Sequence, residues 1–153
     1  MRLTRSIAHL APAALVACLF ATSALAAQSD GDTVYPRDLL KQKPELAKRY
    51  QAVVKPVTGA HGWIADGGTQ TPVTEVSFGN TDYAVLTSCK PHDCASQNLV
   101  VLLPANNAKQ GEAVGALAVN AGDQGLGPNK STITWLGEPG RDARRFLGAY
   151  LFR

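Results

Sequence analysis

The sequence predicts an α+β domain: an antiparallel sheet of about five strands, with helices near both ends of the chain packed on it. Apolar residues recur at helical spacing near Leu46 to Val54, and again from Ala143 to Leu151. Between those segments the apolar period falls to two. Short connections carrying Gly, Asn and Asp separate several of the alternating stretches, which suits strands that run antiparallel to their neighbours.

Each element follows from local chemistry. Pro36 can open a short helix through Leu39 and Leu40. Pro44 then disfavours helical geometry at Lys43, so a second helix is expected to begin near Pro44, where proline is tolerated in a first turn. Leu46, Tyr50, Val53 and Val54 fall at i, i+4, i+7 and i+8 and make one apolar face, and Pro56 is expected to close the helix. Residues 57–72 read as loop, with Gly59, Gly62, Gly67 and Gly68 around Trp63-Ile64. Val76 and Phe78 flank Ser77, Gly79-Asn80-Thr81-Asp82 supplies turn chemistry, and Tyr83 to Thr87 alternates back, which makes a hairpin.

Leu99 to Leu103 is an unbroken apolar run (LVVLL), suited to a central strand covered on both faces. A turn at 106–111 leads to a weaker strand at 113–119 with Gly115 as a candidate bulge. A Gly-rich loop at 120–130 precedes a last strand at 131–136, with Ile133 and Trp135 on one face. The chain then forms a helix from Gly140, with Ala143, Phe146, Leu147, Tyr150 and Leu151 at helical spacing.

The beginning of the chain has a different character. Arg2 and Arg5 precede an apolar, small-residue stretch that ends in Ala24-Leu25-Ala26 ahead of a polar segment. This is the pattern of a secretory signal peptide over residues 1–26, leaving 27–153 as a single domain, and the run is too short for a transmembrane anchor. Leu15-Val16-Ala17-Cys18 looks like a lipoprotein motif, but the apolar run continues past it and a second cleavage site follows. Removing the signal takes away Arg2, Arg5 and Cys18. The mature chain keeps 13 Lys and Arg against 12 Asp and Glu, a net charge of +1, and two cysteines. The basic excess of the full chain is therefore no argument for nucleic acid binding. Two cysteines in an oxidising compartment should form a disulfide.

Those cysteines, Cys89 and Cys94, bracket Lys90, Pro91, His92 and Asp93 at the tip of a connection between two expected strands. Such tips often carry recognition residues on a rigid scaffold. Cys89, His92 and Cys94, with His61 as a fourth, do not have the paired spacing of a structural zinc site. A cysteine nucleophile needs a free thiolate, which the neighbouring cysteine would consume. Neither Gly125-Leu126-Gly127 nor Asn129-Lys130-Ser131 makes a motif in its context. Two readings stay open on composition. The bond could be a staple, worth about 2 kcal/mol for so short a loop. Alternatively, Pro91 and the cystine together present His92 with little freedom left to lose on binding.

The hexapeptide CKPHDC resembles the signature of the Ivy family, the periplasmic inhibitors of vertebrate lysozyme from Gram-negative bacteria. Trp63-Ile64 followed by Gly67-Gly68-Thr69, Ser96-Gln97, Thr134-Trp135-Leu136 and the terminal helical stretch fit the same family in order. The resemblance implies a periplasmic protein with no catalytic activity, cofactor or metal of its own. It implies c-type lysozyme as partner, with the loop of Lys90, Pro91, His92 and Asp93 entering the enzyme's cleft and His92 engaging the catalytic carboxylates. The bacterium's own lytic transglycosylases are an alternative target for the same loop. A small cell-wall enzyme or metal-binding protein is a third reading, without paired acids or a complete ligand set to support it. Homodimerisation is left undecided, His61 has no assigned role beyond a solvated or locally hydrogen-bonded state, and Trp63 and Trp135 are expected in the core.

Overall fold

The computed structural model describes residues 33–78, 80–105, 111–120 and 126–153. The expected signal peptide, Cys18 and most of the expected connections at 106–111 and 120–130 lie outside the described residues. None of the described helices is long and apolar enough to cross a membrane.

Helix α1 spans Pro36–Gln42 and α2 spans Pro44–Thr58, each with proline in its first turn. Lys43 separates them in a non-helical conformation (φ −125°, ψ 84°), outside the α region that a following proline disfavours. The α2 face is the expected one: Leu46, Val53 and Val54 are buried, and Tyr50 packs against the same core. Burial pushes the Tyr50 hydroxyl up to about 12, against the opposing effect of its hydrogen bond with Ser88, so it stays neutral.

Pro56 does not end α2. The helix runs to Thr58, because Val57 is buried against the core and the Thr58 hydroxyl donates to the Lys55 carbonyl at 3.0 Å. A proline this near a C-terminus costs one backbone bond, and the packing of Val57 offsets it. A 3₁₀ turn, Gly62–Ile64, follows within the segment read as loop, and Ile64 is fully buried.

The sheet is antiparallel throughout. Its strands are β1 (Thr69–Gln70), β2 (Thr74–Phe78), β3 (Thr81–Cys89), β4 (Gln97–Pro104), β5 (Val114–Asn120) and β6 (Ser131–Leu136). The order is β1-β3-β4-β5-β6, and β2 pairs with β3 on the edge that β1 also uses. So β1 and β2 are two pieces of one edge ribbon, broken at residues 71–73, and the sheet is about five strands wide, as expected. The short β1 was missed because Thr69 and Gln70 show no apolar alternation; only their pairing with Cys89 and Ser88 defines them.

Strand β4 is the central one. Leu99, Val101 and Leu103 join the core beneath α1 and α2, while Val100 and Leu102 face the opposite core. That second core is closed by α3 (Arg141–Leu151), which buries Leu147 and Leu151. An aromatic row of Phe78, Phe146 and Tyr150, with ring centroids 5.4 and 5.5 Å apart, extends it to the edge. Ile133 and Trp135 of β6 share this face, as their spacing predicted, and the Arg144 guanidinium lies over the Trp135 ring.

Gly115 is not a bulge. It pairs in unbroken register with Val101 on one side and Leu136 on the other. A β-carbon there would lie 2.8 Å from the Val100 carbonyl oxygen, so glycine serves close backbone approach inside a regular strand. Gly115→Ala should therefore destabilise the domain by about 1–3 kcal/mol, the usual cost of overpacking. Urea unfolding with an unchanged slope would measure it; a neutral result would mean that the strand accommodates a β-carbon beside the Val100 carbonyl.

Candidate functional site at the cystine ring

Strand β3 ends at Cys89 and β4 begins at Gln97, so the ring is the connection between two paired strands with largely buried interiors. Cys89 is in register with Asn98, and its disulfide to Cys94 spans 4.9 Å between α-carbons. The backbone N–H of Lys90 donates to the Gln97 carbonyl at 3.1 Å and closes the base. Both sulfurs are committed to the disulfide, so neither serves as a zinc ligand or a nucleophile in this state. Among the described residues, no group of three or more His, Cys, Asp and Glu side chains could hold a metal ion.

Inside the ring is a tight turn. The Asp93 N–H donates to the Lys90 carbonyl at 2.9 Å, with Pro91 and His92 as the central residues. His92 has φ 63°, and among the described residues it alone is a non-glycine with positive φ. Proline at the first central position excludes the primed turns, and positive φ at the second excludes type I. The turn is type II. Its second central position ordinarily takes glycine or asparagine, and a left-handed residue with a β-carbon costs roughly 1–2 kcal/mol. His92 and Pro91 are exposed at the tip, and Lys90 and Asp93 are half-buried beneath them.

Hydrogen bonds converging on Asp93 hold this geometry. Its carbonyl accepts from the N–H groups of Ser96 and Gln97, both at 3.1 Å. Its carboxylate accepts from Lys90 Nζ at 3.3 Å and from Gln97 Nε2 at 3.0 Å. The hydrogen bond from Lys90 is the main cause holding the Asp93 carboxyl below the usual range; partial burial opposes it, and Ser96 and Gln97 add to it. Because the folded-state value is depressed, the stabilisation is present above the ordinary carboxylate pKa and is lost as pH falls through the folded value. The Lys90–Asp93 pair also cancels its own charge. The far leg of the ring is tied down as well: Asn98 Nδ2 donates to the Cys94 carbonyl at 2.6 Å, and Asn120 N–H donates to the Ser96 carbonyl at 2.8 Å.

The ring rests on the segment after α2. Gln97 Oε1 accepts from Trp63 Nε1 at 3.3 Å and lies 3.3 Å from His61 Nδ1. Gly68, at φ 59°, lets this segment close on the ring: a β-carbon there would lie 2.5 Å from the Cys89 carbonyl oxygen and 2.8 Å from the Trp63 ring. Trp63, Gly68 and Gln97 stand in segments that resemble the family, but the sequence alone does not give their role in supporting the ring. His61 is hydrogen-bonded, though to a residue 36 positions away. Trp63 is half-buried against the core, as expected, and its indole nitrogen faces the ring.

A cavity of about 530 Å³ lies between α1, α2 and β3, walled by Leu40, Val54, Ile64 and Leu86. Asp66 is the one acid among its lining residues, so it lacks the pair of carboxyl groups that glycoside hydrolysis requires.

No protein-family model matches the chain. Curated relatives do. A protein of Pseudomonas aeruginosa named "Inhibitor of vertebrate lysozyme" is 31% identical over 116 residues, which covers 72% of each chain. An uncharacterized Yersinia pestis protein is 33% identical over 117 residues, 73% of each chain. An Escherichia coli protein also named "Inhibitor of vertebrate lysozyme" is 48% identical over 40 residues, so the match spans about a quarter (26%) of that relative's length. The relatives that carry a functional name are thus named as inhibitors, with lysozyme as what they inhibit. At 31% identity over 72% of each chain, the Pseudomonas aeruginosa relative shows that the chain belongs to the family of inhibitors of vertebrate lysozyme.

Proposed function

We propose that this protein is a periplasmic inhibitor of c-type lysozyme that protects peptidoglycan by inserting the cystine ring into the enzyme's cleft, with His92 against the catalytic acids. The observation that carries this reading is the left-handed His92 at the exposed tip of a ring closed by a disulfide and a hydrogen-bonded turn. A fold that needed only a turn there would place glycine at that position.

The chemistry fits the target. A retaining glycosidase holds its two carboxyl groups about 5–5.5 Å apart, one protonated and one ionised. A protonated imidazole between them donates one hydrogen bond to each. A neutral one donates to the carboxylate and accepts from the acid. Bonds to an ionised partner are the stronger kind once water is expelled. Inhibition then requires no covalent step, since the ring occupies the space the sugar chain needs. The internal Lys90–Asp93 pair brings no uncompensated charge into the cleft beside the imidazole. Export through the signal peptide would place the inhibitor where an attacking lysozyme meets the wall.

Three outcomes test the reading. His92→Ala should weaken inhibition of c-type lysozyme by at least ~1.5 kcal/mol, more than tenfold, while circular dichroism stays native. Wild-type potency in that variant removes His92 from the mechanism. His92→Gly should inhibit as poorly as the alanine variant, yet unfold about 1 kcal/mol later, because only glycine occupies φ 63° without strain. Equal stability of the two would mean that the tip carries no strain. Finally, reducing Cys89–Cys94 should cost about 2 kcal/mol of stability and a larger share of inhibition. Full potency in the reduced protein would make the disulfide irrelevant to presentation.

A further inference from the structure

We propose that Gln97 is the positioning residue of the inhibitory ring, its side-chain amide locked in one orientation by Trp63 so that it holds Asp93 and, through Asp93, the turn that presents His92. The proposal rests on the reading of the ring given above and identifies what fixes its shape.

The argument turns on donors and acceptors. The Trp63 indole nitrogen can only donate. At 3.3 Å from it, Gln97 must present its carbonyl oxygen. The amide nitrogen then faces the opposite way, onto Asp93 Oδ2 at 3.0 Å, and an ionised carboxylate there can only accept. A flipped amide would set N–H against N–H at one end and oxygen against carboxylate at the other. The same logic assigns His61: at 3.3 Å from that carbonyl oxygen, its Nδ1 must carry a proton. One half-buried side chain thus reads three partners, two in the 61–63 segment and one in the ring. Its backbone adds two bonds, accepting from Lys90 N–H and donating to the Asp93 carbonyl. Asp93 directly follows the left-handed His92 and supplies the N–H that closes the turn, so whatever fixes Asp93 fixes the approach of the imidazole.

Gln97→Glu tests this without changing side-chain shape. A glutamate here faces Asp93 and Lys90 from the ring and His61 from the supporting segment. Ionised, it repels the Asp93 carboxylate and has no proton to offer it. Protonated, it regains the amide's pattern, with its O–H donating to Asp93 and its carbonyl accepting from Trp63. The repulsion itself raises the pH at which that proton is held. At pH 8 the variant should inhibit lysozyme at least tenfold less well than wild type at the same pH, and the ratio should return toward one near pH 5. A loss of equal size at both values, or no loss, overturns the positioning role.

A second readout needs no lysozyme. In the free variant, NMR titration should show Asp93 taking up its proton at higher pH than in wild type. The His92 amide–α-proton coupling should also depart from the value for φ 63° at pH 8 and recover in acid. If these signals move as stated but wild type does not inhibit lysozyme, the relay stands and the inhibitor reading fails. If wild type inhibits and the signals are unmoved, the relay fails alone. Should Gln97→Glu not fold, Trp63→Phe removes the orienting N–H and keeps the ring. It should lower inhibition several-fold without pH dependence, and full potency there overturns the proposal.

Discussion

A single backbone torsion organises the tip of the cystine ring. His92 sits at φ 63°, where a β-carbon is disfavoured. The compensation comes from bonds that converge on the next residue and from a disulfide that closes the chain around it. These constraints hold only because the legs of the ring are the ends of β3 and β4. Strand β4 is covered by a core on each face, and β3 is paired on both edges. A local opening of the ring must therefore work against strands with buried, paired interiors, which are expected to open late. The turn is exposed, but its foundations are not.

Much of this architecture was legible in the sequence because it follows from short-range patterns. The LVVLL run announced a strand buried on both sides, and Leu99 to Leu103 divide between two cores in strict alternation. The spacing of Leu46, Tyr50, Val53 and Val54 drew the inner face of α2 correctly. The failures share a cause in tertiary packing. Pro56 reads as a stop, but burial of Val57 carries the helix past it. Gly115 reads as a bulge until the Val100 carbonyl is seen where its side chain would go. Thr69 and Gln70 become a strand only through their partners on β3.

The site divides in the same way. Cys89, Cys94 and the four residues between them stand out because a cystine, a proline and a histidine in one hexapeptide are rare together. Gln97 and Trp63 enter only within segments that resemble the family, with no role attached. They are polar residues in ordinary surroundings, and the bonds that give them a role join positions 34 and 36 residues apart. Gly67-Gly68 could be read as a turn signal, but Gly68 matters because the Cys89 carbonyl oxygen leaves no room for a β-carbon, a fact of the folded state alone. Periodicity reports on the face a residue occupies, and it is silent on which distant donor will orient an amide.

The residue chosen at position 92 also separates the two roles a small cystine ring can play. A staple acts on the unfolded chain by restricting its loop, and that effect is indifferent to what the loop contains. For a staple, the best residue at the second central position of a type II turn is glycine, which removes the strain at no cost to closure. This chain instead keeps an imidazole there, exposed, with its neighbours' charges already paired to each other. Strain retained at an exposed side chain, and supported from beneath by Asp93, Gln97 and Trp63, is destabilising for the isolated domain. On the function proposed above, the side chain is used outside the domain, where a conformation already set lowers the ordering cost of binding. The stability given up at one torsion is small, on the order of 1 kcal/mol. In that proposal one charge-assisted hydrogen bond from the imidazole to an acid of the enzyme, worth about 1.5–3 kcal/mol, would exceed it.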